Sequence, residues 1–495
     1  MKSMKQNANV IGVVLLLLAG CGDNKTGVET PRLSPAVDAD MRAFFVLKEE
    51  QARALQERDR KEFAKKDSTF SFARDGFPSD VWKCFSFGKA GRWPEMCEVF
   101  AKEIAPHSYQ FTHPGEPDIR YATTAWQPVN EAYFAFQQLA VANPKHLLAF
   151  GRLISDSLPS NSIYFAGTDA GRFVVDFVSL SGGKPRAFYL MSQNQLADGM
   201  YAEFLRAITE GNIQLPSSED STKAFADYLA DAQRRMEANQ LKPDERVQII
   251  NGRVQASGAT PVMEIIARLT EMIFEKNPST EFFIDNLWVF DWTRPLAEPH
   301  GFILKLNRNP IAELSEDAVR QDRGFWAKQM TDTVGDWLNE KTSVPEICNW
   351  IERVYLDGNT NGFTGDLDFV ETAKHAFSPS DIHGASAVFS KSRANIANVY
   401  AWRSTNAKTE REKERMIKEA DLAFRQAIAL GPTQTDTGFG YYNFLLAHNR
   451  AEDALTLVRS VGKLRPNDKL IQDLKVQLTE YIQHQTNKNS GTVTP

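Results

Sequence analysis

Polar residues that could bind a ligand follow two of the predicted strands. The segment Gly167–Arg172 comes directly after one apolar strand, and Gln193–Gly199 follows the next. Ligands of open α/β sheets bind beyond the carboxyl ends of the strands, which is where both segments lie. Glycines let the backbone approach a ligand, and the helix that begins near Ala170 would offer amides to an anion. The predicted ligand-binding residues are Thr168, Asp169, Arg172, Asn194 and Asp198.

The same residues have a purely structural interpretation. Thr168 or Asp169 and Asp198 stand where helix N-caps belong, and capping alone would account for them. An enzymatic alternative makes Asp169 and Asp198 the acid and base of a glycan-modifying transferase or hydrolase. Because the sequence has no nucleophile elbow, phosphate loop, zinc helix or CxxC pair, we predict neither a catalytic residue nor a cofactor.

A second candidate site is the segment Asp357–Asp368, which fits the start of the calcium-loop template. Oxygen-bearing side chains alternate there, Gly362 would make the sharp turn, and a predicted helix, Val344–Leu356, leads in. Asp368 replaces the expected glutamate and Thr364 replaces an aliphatic residue, so a polar turn without metal is the alternative. The predicted calcium ligands are Asp357, Asn359, Asn361, Asp366 and Asp368.

The amino terminus predicts where the protein acts. Lys2 and Lys5 precede an apolar run, Val10–Gly20, which is typical of a secretory signal peptide. The run is about half the roughly 20 residues that a transmembrane helix needs. Small residues directly before a cysteine match the lipobox of bacterial lipoproteins, so Cys21 is the predicted lipid attachment site. An ordinary signal with a chance cysteine is the alternative, and Gly22 in place of aspartate favours the outer membrane.

Composition excludes several classes of function. Without the signal and its two lysines, 475 residues remain, with 55 basic against 63 acidic side chains and a net charge of −8. That balance gives no electrostatic reason to bind nucleic acid. No later segment reaches 18 apolar residues, so no membrane span is predicted. Export permits disulfides, and Cys84 and Cys97 could form one, with two buried thiols as the alternative.

The predicted elements around the first site alternate between strands and helices. Strand Ser162–Ala166, a helix to Leu180, strand Arg186–Ser192 and helix Asp198–Thr209 indicate a parallel sheet with right-handed crossovers. Asn251-Gly252 predicts a hairpin within 246–257. The fold class is therefore α/β, a parallel-containing sheet with flanking helices, followed by an all-α carboxyl-terminal region.

An internal repeat of 34 residues marks that region. Ala427–Pro432 recurs as Val461–Pro466, and Ala420 aligns with Ala454. Small residues at helix crossings and a proline closing each unit are typical of tetratricopeptide repeats. Two coincidental helical hairpins are the alternative, and the first unit carries an insertion near Lys408–Lys413.

The predicted organisation has seven parts. They are a signal peptide at 1–20, a lipidated cysteine and flexible tether at 21–36, a mostly helical region at 37–160, the α/β domain at 161–308, a helical linker at 309–392, tetratricopeptide-like repeats with a capping helix at 393–484, and a disordered tail at 485–495.

Three stretches of the chain, Ile163–Phe173, Gln193–Asp198 and Pro299–Leu306, support a family resemblance. With them, the segment 161–308 resembles the soluble region of bacterial membrane proteins related to protein O-mannosyltransferases. In that family such a segment commonly runs on into tetratricopeptide-like repeats. Glycosyl transfer there needs a multi-spanning membrane half, which is not predicted in this sequence. The resemblance therefore implies an accessory domain, and no catalytic residue is carried over.

These patterns favour a non-enzymatic lipoprotein of the cell envelope, facing the periplasm, that acts as a binding or assembly module. The α/β domain would hold a small or glycan-like ligand. The repeats would bind a protein partner, with Tyr441, Tyr442 and Phe444 as candidate groove aromatics. The expected partners are a membrane, through the lipid, and a protein, but no nucleic acid. The alternative is the glycan-modifying envelope enzyme with its site at the strand ends.

Overall fold

A computed structural model describes residues 33–65, 77–105, 123–140, 143–181, 186–242, 244–250, 252–287, 290–375 and 384–490. The predicted signal peptide, Cys21 and the tether as far as residue 32 lie outside the described residues, as do residues 491–495 of the predicted tail. Within the described ranges, no helix is both long and apolar enough to cross a membrane.

The helices and strands are given in chain order. The helices are α1 Pro35–Lys65, α2 Ser79–Ala90, α3 Trp93–Val99, α4 Trp126–Leu139, α5 Lys145–Ser157, α6 Val175–Leu180, α7 Gly199–Thr209, α8 Ser218–Glu237, α9 Ala259–Lys276, α10 Glu316–Thr333, α11 Val344–Ile351, α12 Leu367–His375, α13 Ala385–Asn406, α14 Glu410–Leu430, α15 Thr435–Ala447, α16 Ala451–Leu464 and α17 Lys469–Ser490. The strands are β1 Ile163–Ala166, β2 Tyr189–Ser192, β3 Arg246–Ile250, β4 Arg253–Ser257, β5 Phe282–Ile284, β6 Ala297–His300 and β7 Ile303–Leu306. Wider π-helical turns, Phe100–Ile104, Ala170–Val174 and Glu352–Leu356, extend α3, precede α6 and extend α11.

The chain divides into two compact units. The described residues of the first unit lie within 1–142, 155–283 and 288–292, and those of the second lie within 143–154, 284–287 and 293–495. The predicted α/β domain at 161–308 is thus shared between the units, because β6 and β7 pack against α10 and α13 of the second unit.

The predicted mostly helical region at 37–160 begins with a long helix, α1. Its apolar residues recur at helical spacing, so that one face is buried while charged residues cover the rest. Glu49 pairs with Arg53 one turn later. The buried residues of α1 include Met41, Phe44, Phe45, Ala52 and Leu55.

The sheet begins with the parallel pair that the sequence predicts. All four residues of β1 are buried, as expected for a parallel strand covered on both faces. The register places Ile163 opposite Tyr189 and Ala166 opposite Ser192. The full strand order is β2-β1-β5-β7-β6, which includes the antiparallel pair β6 and β7.

The stretch Pro299–Leu306, which supports the family resemblance, lies in a hairpin of two strands. β6 pairs with β7 in antiparallel register, with Pro299 opposite Leu304. Gly301 makes the turn with a φ of 64°, a left-handed conformation that glycine adopts without steric cost. Pro299 within the segment disfavours a strand in sequence patterns, which is why β6 was not predicted.

The predicted hairpin around Gly252 forms a separate two-stranded sheet. β3 and β4 pair from Arg246 opposite Ser257 to Ile250 opposite Arg253, while Asn251 lies outside the described residues. Val247 joins a core cluster with α8 and α9. This sheet is thus built on helices and does not extend the five-stranded one.

The second unit ends in five consecutive helices, α13–α17, which we call the helical array (Ala385–Ser490). Loops of three or four residues join them, and consecutive helices pack on each other, as short connections require. The last helix continues to Ser490, past the predicted end of the capping helix at 484.

The 34-residue correspondence falls on equivalent buried positions of the helical array. Ala420 of α14 and Ala454 of α16 are both completely buried. The second part of the predicted insertion, Glu410–Lys413, is the first turn of α14, which has 21 residues whereas α16 has 14. Gly431 closes α14, where an added Cβ would lie 2.7 Å from Cβ of Ser390. Small residues therefore allow close helix crossings at these points.

Candidate functional site

Thr168 lies at the carboxyl end of β1 and caps the helical turn that follows. Its Oγ1 accepts a hydrogen bond from the amide of Gly171 at 3.0 Å, and its carbonyl oxygen accepts one from the amide of Arg172 at 2.9 Å. These two amides are therefore not available to an anion, contrary to the expectation that the helix start would present free N–H groups.

Arg172 points its guanidinium into the first unit. The residue is 3% exposed, its Nη2 donates to Oε1 of Gln195 at 2.9 Å, and its Cζ lies 4.6 Å from the centroid of the Phe173 ring. Within the described part of the chain, Nη1 has no hydrogen-bond acceptor. Asp169 Oδ1 is 4.0 Å away from it, beyond hydrogen-bond distance. A buried donor left without a partner costs about 1–3 kcal/mol, and more when it is charged.

Asp198 acts as a helix cap. Its Oδ1 accepts a hydrogen bond from the amide of Met200 at 2.8 Å, at the start of α7. Burial raises the pKa of Asp198, and the amides of Met200 and Tyr201 partly offset that increase. Asn194 lies half-buried on the short 3-10 turn after β2. Helix capping therefore accounts for Asp198, but it does not account for the buried guanidinium of Arg172.

A reciprocal pair of amides extends the site towards α4. Gln127 Nε2 donates to Gln195 Oε1 at 3.1 Å, and Gln195 Nε2 donates to Gln127 Oε1 at 3.0 Å. Gln195 Oε1 thus accepts from both Gln127 and Arg172, which uses both lone pairs of that oxygen. Neither glutamine was a predicted site residue.

An ion-pair network lies next to these amides. Lys48 Nζ is 2.6 Å from Asp176 Oδ2 and also contacts Oε2 of Glu131. Arg186 Nη2 is 2.9 Å from the second oxygen of Asp176. Gln127 Nε2 lies 3.4 Å from Glu131 Oε1 and joins the network to the amide pair. We call Lys48, Gln127, Glu131, Arg172, Asp176 and Gln195 the strand-end cluster.

Burial is the largest influence on the pKa values of Glu131 and of Tyr201. It raises the pKa of Glu131, an effect that Lys48 opposes and Asp176 reinforces. Burial also raises the pKa of the Tyr201 hydroxyl, whose oxygen accepts a hydrogen bond from the amide of Ser192 at 2.6 Å. Both carboxylates contact Lys48, and Arg186 contacts Asp176, so Arg172 is the cation that no described carboxylate reaches within hydrogen-bond distance.

The sequence contains a signal for the residues that were not predicted. Lys48 follows five consecutive apolar residues, and Asp176 interrupts the apolar run from Phe173 to Phe177. A single charged residue inside an apolar run must be paired if the run is buried. That signal indicates burial with a partner, but it does not identify the partner.

The structure does not bring the carboxylates of the predicted calcium loop together in one group. The described residues contain no group of three or more His, Cys, Asp or Glu side chains that could hold a metal ion. Asn359 Oδ1 accepts a hydrogen bond from the amide of Asn361 at 3.1 Å, while Asp357 is exposed. Gly362 turns the chain with a φ of 70°. In this structure the segment is a polar turn with side-chain-to-backbone hydrogen bonds, and calcium binding there stays a prediction.

Asp366 and Asp368 bind other parts of the second unit. Asp366 Oδ2 accepts hydrogen bonds from Lys145 Nζ at 2.8 Å and His146 Nε2 at 2.9 Å, and Asp368 Oδ2 accepts one from Asn143 at 2.9 Å. Burial raises the pKa of Asp366, but the hydrogen bonds from Lys145, His146 and the Asp368 amide outweigh it and lower the pKa to about 2.

The three described cysteines, Cys84, Cys97 and Cys348, are free thiols. Cys84 on α2 is buried and Cys97 on α3 is half-buried, with no disulfide between them. Burial raises the pKa of Cys97 to about 11, and it raises the pKa of Cys84 further. Of the two alternatives left by the sequence, the structure has the pair of buried thiols, which are protonated and weakly nucleophilic at neutral pH.

Two of the three candidate groove aromatics belong to the core of the helical array. Tyr441 and Phe444 are buried, and Tyr441 Oη donates to Asp421 at 2.9 Å. Tyr442 is half-buried and is the member of the set that a partner could reach.

Comparison with known proteins returned no match. No family model, no curated protein and no solved structure matches the chain.

Proposed function

We propose that this protein is a lipid-anchored binding or assembly module of the bacterial cell envelope, tethered through Cys21 and facing the periplasm. The outer membrane is the favoured location. The helical array binds a protein partner, and the first unit holds a small or glycan-like ligand at the strand-end cluster.

The observation that carries this proposal is the helical array itself. Positions 34 residues apart, such as Ala420 and Ala454, are buried at equivalent places in consecutive hairpins. Repeats of this kind stack helix pairs and expose extended surfaces that bind peptides or proteins. We therefore interpret the array as tetratricopeptide-like, in keeping with the accessory domain that the family resemblance implies.

The enzymatic alternative is less well supported. It needs Asp198 as an acid or base, but this carboxylate caps α7 through Met200. A capping carboxylate is held by the backbone and stabilised by the helix. Ligand binding by Arg172 and its neighbours, in contrast, does not require Asp198 to give up its capping hydrogen bond.

The anchor is tested by membrane fractionation of the native protein and a Cys21→Ser form. We expect the native protein in the membrane fraction and the variant in the soluble fraction, with mass spectrometry showing an acylated Cys21 as the first residue. An unprocessed amino terminus would refute the anchor.

The partner is tested by site-specific photo-crosslinking in intact cells. A photoreactive residue at Tyr442, half-buried on α15, should capture a discrete envelope protein. The matched control is the same group at Lys61 on α1, whose side chain is 71% exposed and lies outside the helical array. Equal capture at both positions, or capture at neither, would contradict a partner surface on the array.

A further inference from the structure

We infer that the strand-end cluster binds an oxyanion, a carboxylate or phosphate group of the ligand, through Nη1 of Arg172. This inference deepens the proposed function, since it gives the chemical class of what the first unit holds.

The first step is the position of the guanidinium. Arg172 is 3% exposed and is fixed at one nitrogen by Gln195 and on one face by Phe173. Within the described residues its other terminal nitrogen has no hydrogen-bond acceptor. Guanidinium groups bind carboxylates and phosphates through paired N–H donors, and such charge-assisted bonds are strong where water is excluded.

The second step is the balance of charge. Lys48 contacts both Glu131 and Asp176, and Arg186 contacts Asp176. Glu131 and Asp176 are thus both bound by Lys48 or Arg186, whereas the third carboxylate, Asp169, stays 4.0 Å from Nη1 of Arg172 and is 28% exposed. Arg172 is therefore the cation of this group that no described carboxylate reaches within hydrogen-bond distance, and an anionic group of a ligand would pair with it directly.

The third step is access. Gly167, Thr168, Asp169 and Asn194 are all half-buried, whereas the residues behind them are buried. They follow the parallel neighbours β1 and β2 at the same edge of the sheet, and we take them as the rim through which a ligand would reach Arg172. Asp169 lies on this rim with its Oδ1 4.0 Å from Nη1 of Arg172, so its carboxylate would repel an incoming anion and compete for the guanidinium.

The experiment measures binding of sodium glucuronate and inorganic phosphate by calorimetry at constant ionic strength, using the full mature chain purified in detergent. Glucose is the neutral control. We expect at least one anion to bind and glucose not to bind. If glucuronate binds and phosphate does not, the anionic group of the ligand is a carboxylate. If phosphate binds and glucuronate does not, that group is a phosphate. Binding of neither anion would overturn the inference.

Two variants test the site itself. Arg172→Lys keeps the charge but loses the planar pair of donors, and should weaken anion binding about tenfold or more. Asp169→Asn removes the competing carboxylate from the rim, and should tighten binding about three- to tenfold. The second variant replaces a residue 28% exposed at its side chain, so folding is expected to survive.

The matched control is Asp198→Asn, the same change in the neighbouring loop, which should leave affinity within about twofold because Asp198 caps α7. Unchanged binding by Arg172→Lys, or weaker binding by Asp169→Asn, would overturn the inference. Neither measurement depends on the lipid anchor or on a protein partner, so failure here is distinguishable from failure of the proposed function.

Discussion

Lys48 Nζ lies 2.6 Å from Asp176 Oδ2, and both side chains are almost completely removed from solvent. The same ammonium contacts Glu131, so one cation from α1 neutralises carboxylates from two other helices of the first unit. Buried ion pairs contribute little compared with apolar replacements, but removing one partner leaves the others charged and desolvated.

We therefore expect Lys48→Met to destabilise the protein by about 3–5 kcal/mol. The measurement is the free energy of unfolding from urea titrations followed by circular dichroism. Lys61→Met is the control, because Lys61 and its partner Glu57 are exposed and exposed pairs contribute about 0–1 kcal/mol. Adding Glu131→Gln to Lys48→Met should recover part of the loss, since Asp176 still has Arg186. A Lys48→Met protein as stable as the Lys61→Met control would contradict the network.

The same network shows how far sequence analysis reaches. The apolar run at β1, the alternation of strands and helices, and the glycine turn between β3 and β4 are local signals, and the structure has these elements. Gln127 and Gln195 are 68 residues apart, and Lys48 and Glu131 are 83 residues apart. Such pairs depend on tertiary packing, which the periodicity of apolar residues within a short window does not reveal. Sequence analysis could single out Arg172 as a candidate residue, but it could not identify the partners that hold its side chain.

The hydrogen bonds of Glu245, beside the two-stranded sheet, make the stability of the protein depend on pH. Burial raises its pKa, but hydrogen bonds from Arg235, Tyr228 and the Lys242 amide outweigh that effect, and the pKa is lowered overall. A carboxylate whose pKa is lowered by folding stabilises the protein above its unfolded pKa, and this contribution disappears as pH falls through the folded pKa.

Glu245→Gln should therefore lower stability at pH 7 by about 1–3 kcal/mol, the range for breaking a buried charge-assisted hydrogen bond. The difference from the wild type should shrink below about pH 4, where the unfolded carboxyl is protonated. Unfolding titrations at pH 7, 5 and 3 measure it. Glu219→Gln, at an exposed position of α8, is the control. A difference that stays constant with pH would show that ionisation of Glu245 is not involved.

Asp198 gives a prediction that separates capping from catalysis. Its carboxylate accepts the Met200 amide at the start of α7, so Asp198→Ala should cost about 1 kcal/mol of stability. Asp198→Asn should cost only a few tenths, because asparagine is an equally good N-cap. Thermal unfolding of both variants provides the measurement. An asparagine variant that is fully stable but inactive in the cell envelope would instead favour the enzymatic alternative.

Gly431 tests the close packing of the helical array. An added Cβ would lie 2.7 Å from Cβ of Ser390 and 3.0 Å from the Ser386 carbonyl oxygen, both on α13. Gly431→Ala should therefore destabilise the protein by about 1–3 kcal/mol, the usual cost of overpacking. Gly438, within α15, has open space around the same added atom, so Gly438→Ala should raise stability by up to about 1 kcal/mol through helix propensity. Differential scanning calorimetry of the two variants compares them directly. The two substitutions should change stability in opposite directions, because Ser386 and Ser390 crowd Gly431 whereas Gly438 has open space. A Gly431→Ala protein as stable as the wild type would mean that α13 and α14 do not cross so closely.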